Sequence, residues 1–338
     1  MSAFTDDMVT AVTACCLVRG AGATLPIVSA SLASKQSRSV LRAGSLTHRY
    51  AGATGTSITK LLVVGVRCDD DDPSIGDATL FTMRPGRADA VARIPFPVVS
   101  LGSSGDAVLL LDGTGRLWRT DSAGVGATAK ATATASAVDE AGPDVVQLMG
   151  SCARRRDGTV VRVDDAGAVV AITTGARVIG QADHGVVVAV EALSSGGLVA
   201  VGRDGVGVEQ WRITLPVVDD DVVAVAVDGG AVGLVAGRTL MVGPQATGEF
   251  RRLPLVADVV SLARLGTRWV LGSPSAGLFS LDDDDDRVSL WRPSLRAHQV
   301  LRLHDGIVAV SDLFVATSDD GIDLVSRDLT GFMRLAET

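Results

Sequence analysis

Short runs of aliphatic residues alternate with turns of small and acidic residues along most of the chain. Runs of this length, rich in Val and bounded by Gly, Asp or Ser-Pro, are typical of β-strands. No window of about twelve residues keeps the apolar spacing of an amphipathic helix without an intervening Gly or strand-like alternation. The pattern therefore predicts an all-β fold with almost no helix.

The predicted strands recur as a unit of two apolar strands, a Gly or Asp-Gly turn and two further strands. Most units begin with paired aliphatic residues, and the starts fall at Val98, Val145, Arg177, Val222, Val259 and Val300. A mean spacing of about 40 residues is typical of β-propeller blades, whereas leucine-rich and ankyrin repeats are shorter and carry helices. We therefore predict a single closed β-propeller of about seven four-stranded blades over residues 1–338, with six or eight blades as alternatives.

The repeat starts give proposed blades at residues 38–97, 98–144, 145–176, 177–221, 222–258, 259–299 and 300–338. The clearest unit predicts strands at Val259–Leu265, Arg268–Gly272, Gly277–Leu281 and Arg287–Trp291. The unit that starts at Val222 continues with strands at Ala231–Ala236, Thr239–Val242 and Phe250–Leu255.

The first unit is less regular than the others. Its last three strands are predicted at Leu61–Cys68, Ala78–Met83 and Ala88–Ile94, and its first at Ser39–His48. Residues 8–32 then hold two extra strands, Met8–Val18 and Leu25–Leu32, and Phe332–Leu335 is another candidate. We expect residues 8–32 to close the ring by completing the last blade, which removes exposed sheet edges. Part of the low-complexity stretch Ala123–Gly142 is interpreted as a weak outer strand and the rest as a mobile loop.

Two units carry a resemblance to known propeller repeats. Val98–Trp118, VVSLGSSGDAVLLLDGTGRLW, resembles a regulator-of-chromosome-condensation-type repeat, and Val145–Val163 follows the same outline. The Trp-Arg pairs at Trp118, Trp211 and Trp291 are similar to degenerate WD repeats. The resemblance implies a propeller fold, and guanine-nucleotide exchange is not carried over from it.

Composition narrows the classes of partner. The formal charge of -8 opposes a general nucleic-acid or anionic-membrane role, so no direct nucleic-acid partner is expected. The sequence has no Asn, so it contains no N-glycosylation acceptor. Arg is far more abundant than Lys and fills positions where Lys would serve. The abundance of Arg is therefore not evidence for phosphate recognition.

The cysteines and the N-terminus favour an intracellular protein, cytoplasmic or nuclear rather than secreted. Cys15, Cys16, Cys68 and Cys152 have no C-x-x-C spacing, and we expect reduced, mostly buried thiols. Residues 1–7 carry two acids and no basic segment of a signal peptide. No uncharged apolar run approaches the roughly 18 residues that would cross a bilayer, so membrane insertion is not predicted.

The sequence offers no recognisable catalytic, cofactor or metal site. The four histidines, His48, His184, His298 and His304, have neither H-E-x-x-H nor H-x-H spacing, and no P-loop or Rossmann glycine pattern occurs. His184 and His304 lie in predicted turns. A propeller can bring such turns together at its channel mouth, which leaves an enzyme or small-ligand binder as an alternative.

Charged runs are the most conspicuous polar features, and we interpret them as solvated loops or partner contacts. The acidic runs lack the alternation and the Gly of a calcium loop, and strand alternation would point Arg155 away from its neighbours. The candidate contact residues are Asp69, Asp70, Asp71, Asp72, Arg154, Arg155, Arg156, Asp219, Asp220, Asp221, Asp282, Asp283, Asp284, Asp285 and Asp286.

A complete repeat architecture without a catalytic constellation favours a non-enzymatic protein–protein interaction scaffold. We predict a structural subunit of a larger intracellular complex, with other protein subunits as partners and no cofactor. The alternatives are the enzyme or small-ligand binder described above and, below it, a regulator of a small GTPase.

Overall fold

The computed structural model describes residues 47–58, 60–68, 78–84, 87–121, 135–181, 186–216, 221–312, 315–320, 323 and 325–327. These residues form strands β1 to β28 and one single-turn 3-10 helix, Asp139–Ala141. The strands are grouped in sequence order as seven antiparallel four-stranded meanders.

The strand bounds of meanders 1 to 4 are as follows. Meander 1 comprises β1 (Thr47–Ser57), β2 (Lys60–Cys68), β3 (Ala78–Arg84) and β4 (Arg87–Ile94). Meander 2 comprises β5 (Val98–Ser104), β6 (Ala107–Asp112), β7 (Leu117–Asp121) and β8 (Ser136–Ala137). Meander 3 comprises β9 (Val145–Met149), β10 (Cys152–Arg155), β11 (Val160–Val163) and β12 (Val169–Thr173). Meander 4 comprises β13 (Ala176–Gln181), β14 (Val187–Ala192), β15 (Leu198–Arg203) and β16 (Glu209–Thr214).

Meanders 5 to 7 follow the same plan. Meander 5 comprises β17 (Val222–Asp228), β18 (Ala231–Ala236), β19 (Thr239–Pro244) and β20 (Arg251–Pro254). Meander 6 comprises β21 (Ser261–Leu265), β22 (Arg268–Ser273), β23 (Gly277–Asp282) and β24 (Ser289–Arg292). Meander 7 comprises β25 (Ala297–Leu303), β26 (Gly306–Ser311), β27 (Val315–Ser318) and β28 (Val325–Arg327).

The first strands of the meanders contact one another in a cycle. Each touches the first strand of the next meander, and β25 of meander 7 returns to β1 of meander 1. One pair, β13 and β17, is hydrogen-bonded as parallel strands and joins meanders 4 and 5 into one sheet. Hydrogen bonds at two other interfaces join corresponding positions of neighbouring first strands, Gln147 with Ile179 and Gln299 with Ala53, so these strands run in the same direction.

This common direction defines two faces of the molecule. The entry face is the end at which the first strands begin, and the exit face is the end at which they finish. Because successive strands are antiparallel, the connections from second to third strands and from one meander to the next lie at the entry face. The connections from first to second and from third to fourth strands lie at the exit face.

The core is divided into seven hydrophobic clusters, and each cluster is shared by two neighbouring meanders. One joins meanders 7 and 1, where Tyr50 and Phe81 pack with Leu303 and Val310. The second strands supply much of this core and are buried almost throughout, as in β6 and β26. A strand covered on both sides reads as a continuous apolar run, which explains sequences such as AVLLLD and GIVAVS.

Most of the tested strand predictions are confirmed, and the first strand of meander 1 is corrected. Predicted strands at 61–68, 78–83 and 88–94 match β2, β3 and β4. The predicted first strand Ser39–His48 is wrong, because the strand that pairs with β2 is Thr47–Ser57. That segment is rich in Thr, Gly and Ala and lacks the aliphatic run used to find the other strands.

Other predictions fall partly outside the described residues. The ring-closing strands at 8–32 and the candidate at 332–335 lie outside them, and meander 7 takes its fourth strand from Val325–Arg327. In the low-complexity stretch, the weak outer strand is confirmed as β8, and residues 122–134 lie outside the described part. The Trp-Arg pairs are not equivalent, since Trp118 lies in a third strand whereas Trp211 and Trp291 lie in fourth strands.

Acidic side chains organise several of the turns. Asp112, at the end of β6, accepts bonds from the backbone N–H groups of Thr114 and Arg116 and, at 2.8 Å, from the indole N–H of Trp118. Gly115 completes this turn at a φ of 83°, a conformation that favours glycine. Burial raises the pKa of Asp112, but these hydrogen bonds outweigh it and hold the pKa below its ordinary value.

Candidate functional site

A β-bulge lies near the start of nearly every first strand. In six meanders the pairing with the second strand skips one residue, which is then left out of the ladder. In meander 6 the equivalent residue, Val260, lies just before β21 and donates its N–H to the carbonyl of Gly272. The seven bulge residues are Ala51, Val99, Val146, Arg177, Val223, Val260 and His298.

Four of these bulge residues form what we call the valine ring: Val99, Val146, Val223 and Val260. Their side chains are 53%, 40%, 41% and 41% exposed, although most of the valines that the structure describes are buried. All four lie at the entry face because all four stand where first strands begin. Val256, in the connection that leads to meander 6, adds an 81% exposed side chain at the same face. The entry face therefore presents repeated apolar groups to solvent.

The exit face holds a cavity of about 320 Å³ between the first strands of meanders 1, 2, 3, 4 and 7. Its lining includes apolar side chains such as Leu101 and Leu148, and polar groups from Gln181, Gln299 and His304. Such a cavity could admit a small molecule or one large side chain. The two ends of the first strands thus differ, with exposed valines where these strands begin and a partly polar recess where they finish.

Glutamine amides hold several first strands together around this cavity. Gln147 of meander 3 accepts the N–H of Ile179 at 3.0 Å and donates to its carbonyl at 2.8 Å. Gln299 of meander 7 accepts the N–H of Ala53 in meander 1 at 3.0 Å. Gln181 makes the same paired contact with the backbone of Arg302, which joins meanders 4 and 7. The amides of Gln147 and Gln299 replace backbone pairing between neighbouring first strands, whereas Gln181 links two first strands that are not neighbours in the cycle.

The two described histidine side chains make different contacts. The Nδ1 atom of His298 lies 3.6 Å from the Asp312 carboxylate at the entry face. His304 is exposed at the exit-face cavity, beside Asp305. His184 lies outside the described residues, and His48 is placed within β1. The structure therefore puts one of the two turn histidines at the predicted channel mouth.

Asp305 ties the last meander to the first at the exit face. Its carboxylate accepts the Ser57 hydroxyl at 2.5 Å and the Ile58 N–H at 2.7 Å. Burial raises the pKa of Asp305, but these bonds outweigh burial and keep the pKa below its ordinary value. At the other end of β1, the N–H of Tyr50 donates to the carbonyl of Asp312 at 3.1 Å.

The acidic run at 282–286 connects β23 to β24 at the exit face and is held by arginines. Arg268 binds Asp282 through two hydrogen bonds, and Arg264 binds Asp283 at 2.5 Å. Arg251 donates to two backbone carbonyls of the same loop. The side chains of Asp284, Asp285 and Asp286 are exposed. The loop is therefore built into meanders 5 and 6 while its tip faces solvent.

The arginine run contacts three separate environments. Arg154 lies 3.3 Å from the Gln147 amide, and burial lowers its pKa. Arg155 donates to the carbonyls of Glu140 and Ala141 at the end of the 3-10 helix. Arg156 is exposed.

The other acidic runs are described only in part. Asp221 is described and exposed, whereas the remaining residues lie outside the described part of the chain: Asp69, Asp70, Asp71, Asp72, Asp219 and Asp220.

The described part of the chain contains no cluster of metal ligands and no membrane-spanning helix. Within it, no three His, Cys, Asp or Glu side chains come together as metal ligands would. The same residues include no helix long and apolar enough to cross a membrane. Cys152 is a buried free thiol, and burial raises its pKa to about 11, which keeps it protonated at neutral pH.

Sequence reasoning missed the valine ring and the glutamine contacts. The signal for the ring was present, because two consecutive valines in a strand should point to opposite sides and only one can enter the core. In the sequence analysis, the paired aliphatic residues were used only to locate the starts of the repeats. The glutamine contacts have no comparable signal, since Gln147 and Ile179 belong to different repeats.

No protein-family model matches the chain, and no curated protein matches it in sequence. Solved structures do match it at low identity. Saccharomyces cerevisiae Sqt1 aligns with a TM-score of 0.55 at 13% identity, over 84% of this chain and 85% of that one. The WD40 β-propeller domain of Doa1 aligns with a TM-score of 0.55 at 11% identity, over 84% and 93%. Kluyveromyces lactis Hsv2 aligns with a TM-score of 0.53 at 12% identity, over 83% and 98%.

The meanders and these matches together define the class: the chain is all-β and has the β-propeller fold. The matches include a WD40 propeller and do not single out chromosome-condensation-type repeats, so that finer resemblance stays a prediction.

Proposed function

We propose that this chain is a non-enzymatic protein-interaction scaffold whose seven meanders are the blades of one closed propeller. The cycle of first-strand contacts and the core cluster shared by meanders 7 and 1 support closure. We further propose that it is a subunit of a larger intracellular complex, cytoplasmic or nuclear. The buried, unpaired thiol of Cys152 is compatible with a reducing compartment.

The valine ring is the observation that carries this proposal. Single exposed valines are ordinary on a protein surface, but a set repeated at one face is typical of an interaction site. A partner that covers the ring buries these apolar side chains, which favours binding. The strands that carry the valines do not need to move. The four valines suit this role because none of their side chains belongs to a core cluster.

A capture experiment with matched variants tests the proposal. Tagged wild-type chain and the variant Val146→Asp/Val223→Asp are used to recover partners from native lysate, with crosslinking to map contacts. Asp side chains cannot be desolvated cheaply, so we expect recovery of the partner to fall at least about tenfold. The control is Val206→Asp/Leu290→Asp, whose exposed residues lie in the β15–β16 connection at the exit face and in the outer strand β24.

Two results would contradict the scaffold. One is a stable monomer with no partner recovered under native conditions. The other is equal recovery by the valine-ring variant and the wild type, which would remove the ring from the interface.

The exposed tip of the 282–286 loop is proposed as an auxiliary contact for a basic partner surface. Arg251, Arg264 and Arg268 already hold this loop in place, so binding would order few further side chains. The variant Asp284→Ser/Asp285→Ser/Asp286→Ser should raise the apparent Kd and weaken its dependence on salt. An unchanged salt dependence would exclude the loop from the interface.

A small-ligand binder is the second candidate, favoured by the exit-face cavity alone. The test is a thermal-shift screen of small metabolites against wild type and Ser151→Trp, in which the cavity is obstructed at its lining. A ligand of this site raises the Tm of the wild type and not of the variant. No feature of the described residues favours the small-GTPase regulator over these two.

A further inference from the structure

The three glutamines that bridge first strands do not use their amides equally. Gln147 and Gln181 each accept a backbone N–H through Oε1 and donate to a backbone carbonyl through Nε2. Gln299 accepts the N–H of Ala53 at 3.0 Å, but its Nε2 atom makes no hydrogen bond to a described residue. Because Ala53 supplies a donor, the amide atom that faces it is the oxygen, and the other atom is an NH2 group.

The NH2 group of Gln299 is open to the exit-face cavity. Gln299 is one of the residues that line this cavity. The described side chains that carry a buried polar atom without a partner do not include Gln299, so its unpaired Nε2 atom is accessible. The cavity is the space beside it, and the NH2 group can therefore donate to a molecule bound there.

A pair of hydroxyl groups adds a second donor to the lining. Thr54 Oγ1 of meander 1 and Ser103 Oγ of meander 2 lie 3.0 Å apart, and both residues line the cavity. One hydroxyl donates to the other, so one hydroxyl hydrogen is left, and neither side chain bonds to a further described residue. Thr54 directly follows Ala53, the residue that Gln299 holds. Both donors therefore belong to the part of the cavity that adjoins meander 1.

The remaining lining is apolar or carries no negative charge. Leu101 and Leu148 supply apolar surface, and the ionisable lining residues are Arg302, His304 and Cys152. Burial raises the pKa of the Cys152 thiol to about 11, so this group is neutral at neutral pH. Among the described residues that line the cavity there is no carboxylate. An anion would therefore meet hydrogen-bond donors and no like charge from these residues.

Unpaired donors beside apolar side chains favour a ligand with an acceptor-rich head and a hydrocarbon body. A carboxylate offers two oxygens with about four lone-pair sites and forms stronger hydrogen bonds than a neutral carbonyl does. The cavity volume of about 320 Å³ lies near the lower end of the range for small-molecule sites.

We propose that the exit-face cavity binds a small free carboxylic acid as its carboxylate, with the head group at Gln299 and the Thr54–Ser103 pair. The hydrocarbon body then lies against Leu101 and Leu148. This assignment rests on the second candidate of the proposed function, the small-ligand binder, and names its class of ligand. It does not depend on the protein-interaction scaffold.

Two pairs of probes test the class of ligand: hexanoate with hexanamide, and benzoate with benzamide. Within each pair the hydrocarbon body is the same and only the head group changes. Ligand-observed NMR titrations of the full-length chain at pH 7 measure the Kd of each probe. We expect at least one acid to bind, and to bind at least about tenfold more tightly than its amide, because only the acid is an anion with two acceptor oxygens.

Gln299→Glu tests where the head group lies. A carboxylate at this position still accepts the Ala53 N–H, so the contact between meanders 7 and 1 is kept, but the NH2 donor is replaced by a negatively charged oxygen. We expect the Kd of the acid to rise at least about tenfold. The matched control, Gln210→Glu, makes the same change at an exposed amide in β16 and should leave the Kd within about twofold.

Ser103→Ala is a second variant, which removes one member of the hydroxyl pair without adding charge. The Kd of the acid should rise about threefold. Thermal melts check that all three variants fold as the wild type does.

Three results would overturn the carboxylate assignment: equal affinity for an acid and its amide, unchanged affinity in Gln299→Glu, or no binding of either acid. A different ligand from the thermal-shift screen that stabilises the wild type and not Ser151→Trp would then keep the cavity as a ligand site. The failure of this assignment is thus distinct from the failure of the small-ligand function, and the capture experiment is independent of both.

Discussion

Meanders 3 and 4 meet through a side chain, whereas meanders 4 and 5 meet backbone to backbone. At the first interface, seam 3/4, the amide of Gln147 binds both backbone groups of Ile179. At the second, seam 4/5, β13 and β17 pair directly, and a Cβ on Gly180 would lie 2.0 Å from the carbonyl oxygen of Val225. Because Gly180 has no side chain, the backbones of β13 and β17 can approach closely. The long side chain of Gln147 spans the wider gap between meanders 3 and 4.

Both kinds of interface border the exit-face cavity. The cavity is lined by meanders 1, 2, 3, 4 and 7, and Gln299 bridges seam 7/1 as Gln147 bridges seam 3/4. Gly180 and Gln181, which lie at seam 4/5, also line the cavity, so it borders a directly paired interface as well as the bridged ones.

Gly180→Ala should have the largest effect, because the added methyl group meets backbone that cannot move without breaking the β13–β17 pair. We expect a loss of about 3 kcal/mol in the free energy of unfolding, measured by urea denaturation. Gly197→Ala is the control, since its Cβ would lie at an ordinary 3.6 Å from Leu193, and it should change stability by no more than about 0.5 kcal/mol. Equal losses at both sites would refute the close approach.

Gln147→Met should come next, because it leaves the N–H and carbonyl of Ile179 unpaired in a half-buried seam. The expected loss is about 2 kcal/mol. Cys152 supplies a second measurement, since its buried thiol lies in the core cluster of this seam and should be alkylated faster when the seam opens. The control Gln210→Met removes an exposed amide contact at the β15–β16 connection and should leave both readouts near wild type.

Asp305→Ala tests whether seam 7/1 also depends on a polar clamp. At pH 7 we expect a loss of about 1 kcal/mol. Because folding lowers the pKa of Asp305, its contribution is complete above the ordinary value of about 4 and is lost as the pH falls through the folded value. The difference in Tm between wild type and variant should therefore shrink on acidification, and a constant difference from pH 7 to pH 3 would contradict this.

Arg268→Met should have the smallest effect, because its ion pair with Asp282 is partly exposed to solvent. The Arg268 guanidinium holds the pKa of Asp282 below its ordinary value. We expect a loss of about 0.5 kcal/mol that declines with added salt. A loss as large as that of Gln147→Met would show that charged loops matter as much as seams.

Buried second strands were readable from the sequence because burial on both sides requires a continuous apolar run, as in Ala107–Asp112. β1 was misplaced because Thr47–Ser57 packs through Tyr50 and small residues rather than through aliphatic ones. The acidic run at 282–286 was visible, but its anchoring was not, since Arg251 belongs to another repeat. Contacts between repeats depend on their spacing, which no local pattern contains.

The bulge near the start of six of the seven described first strands bears on the origin of the chain. Its side chain varies among Ala, Val, Arg and His, while the skipped pairing recurs along the chain. A backbone irregularity that recurs while its side chain changes is what duplication of one ancestral unit would produce. It also supplies equivalent junctions at which whole meanders can be exchanged, deleted or added in engineered versions of this protein.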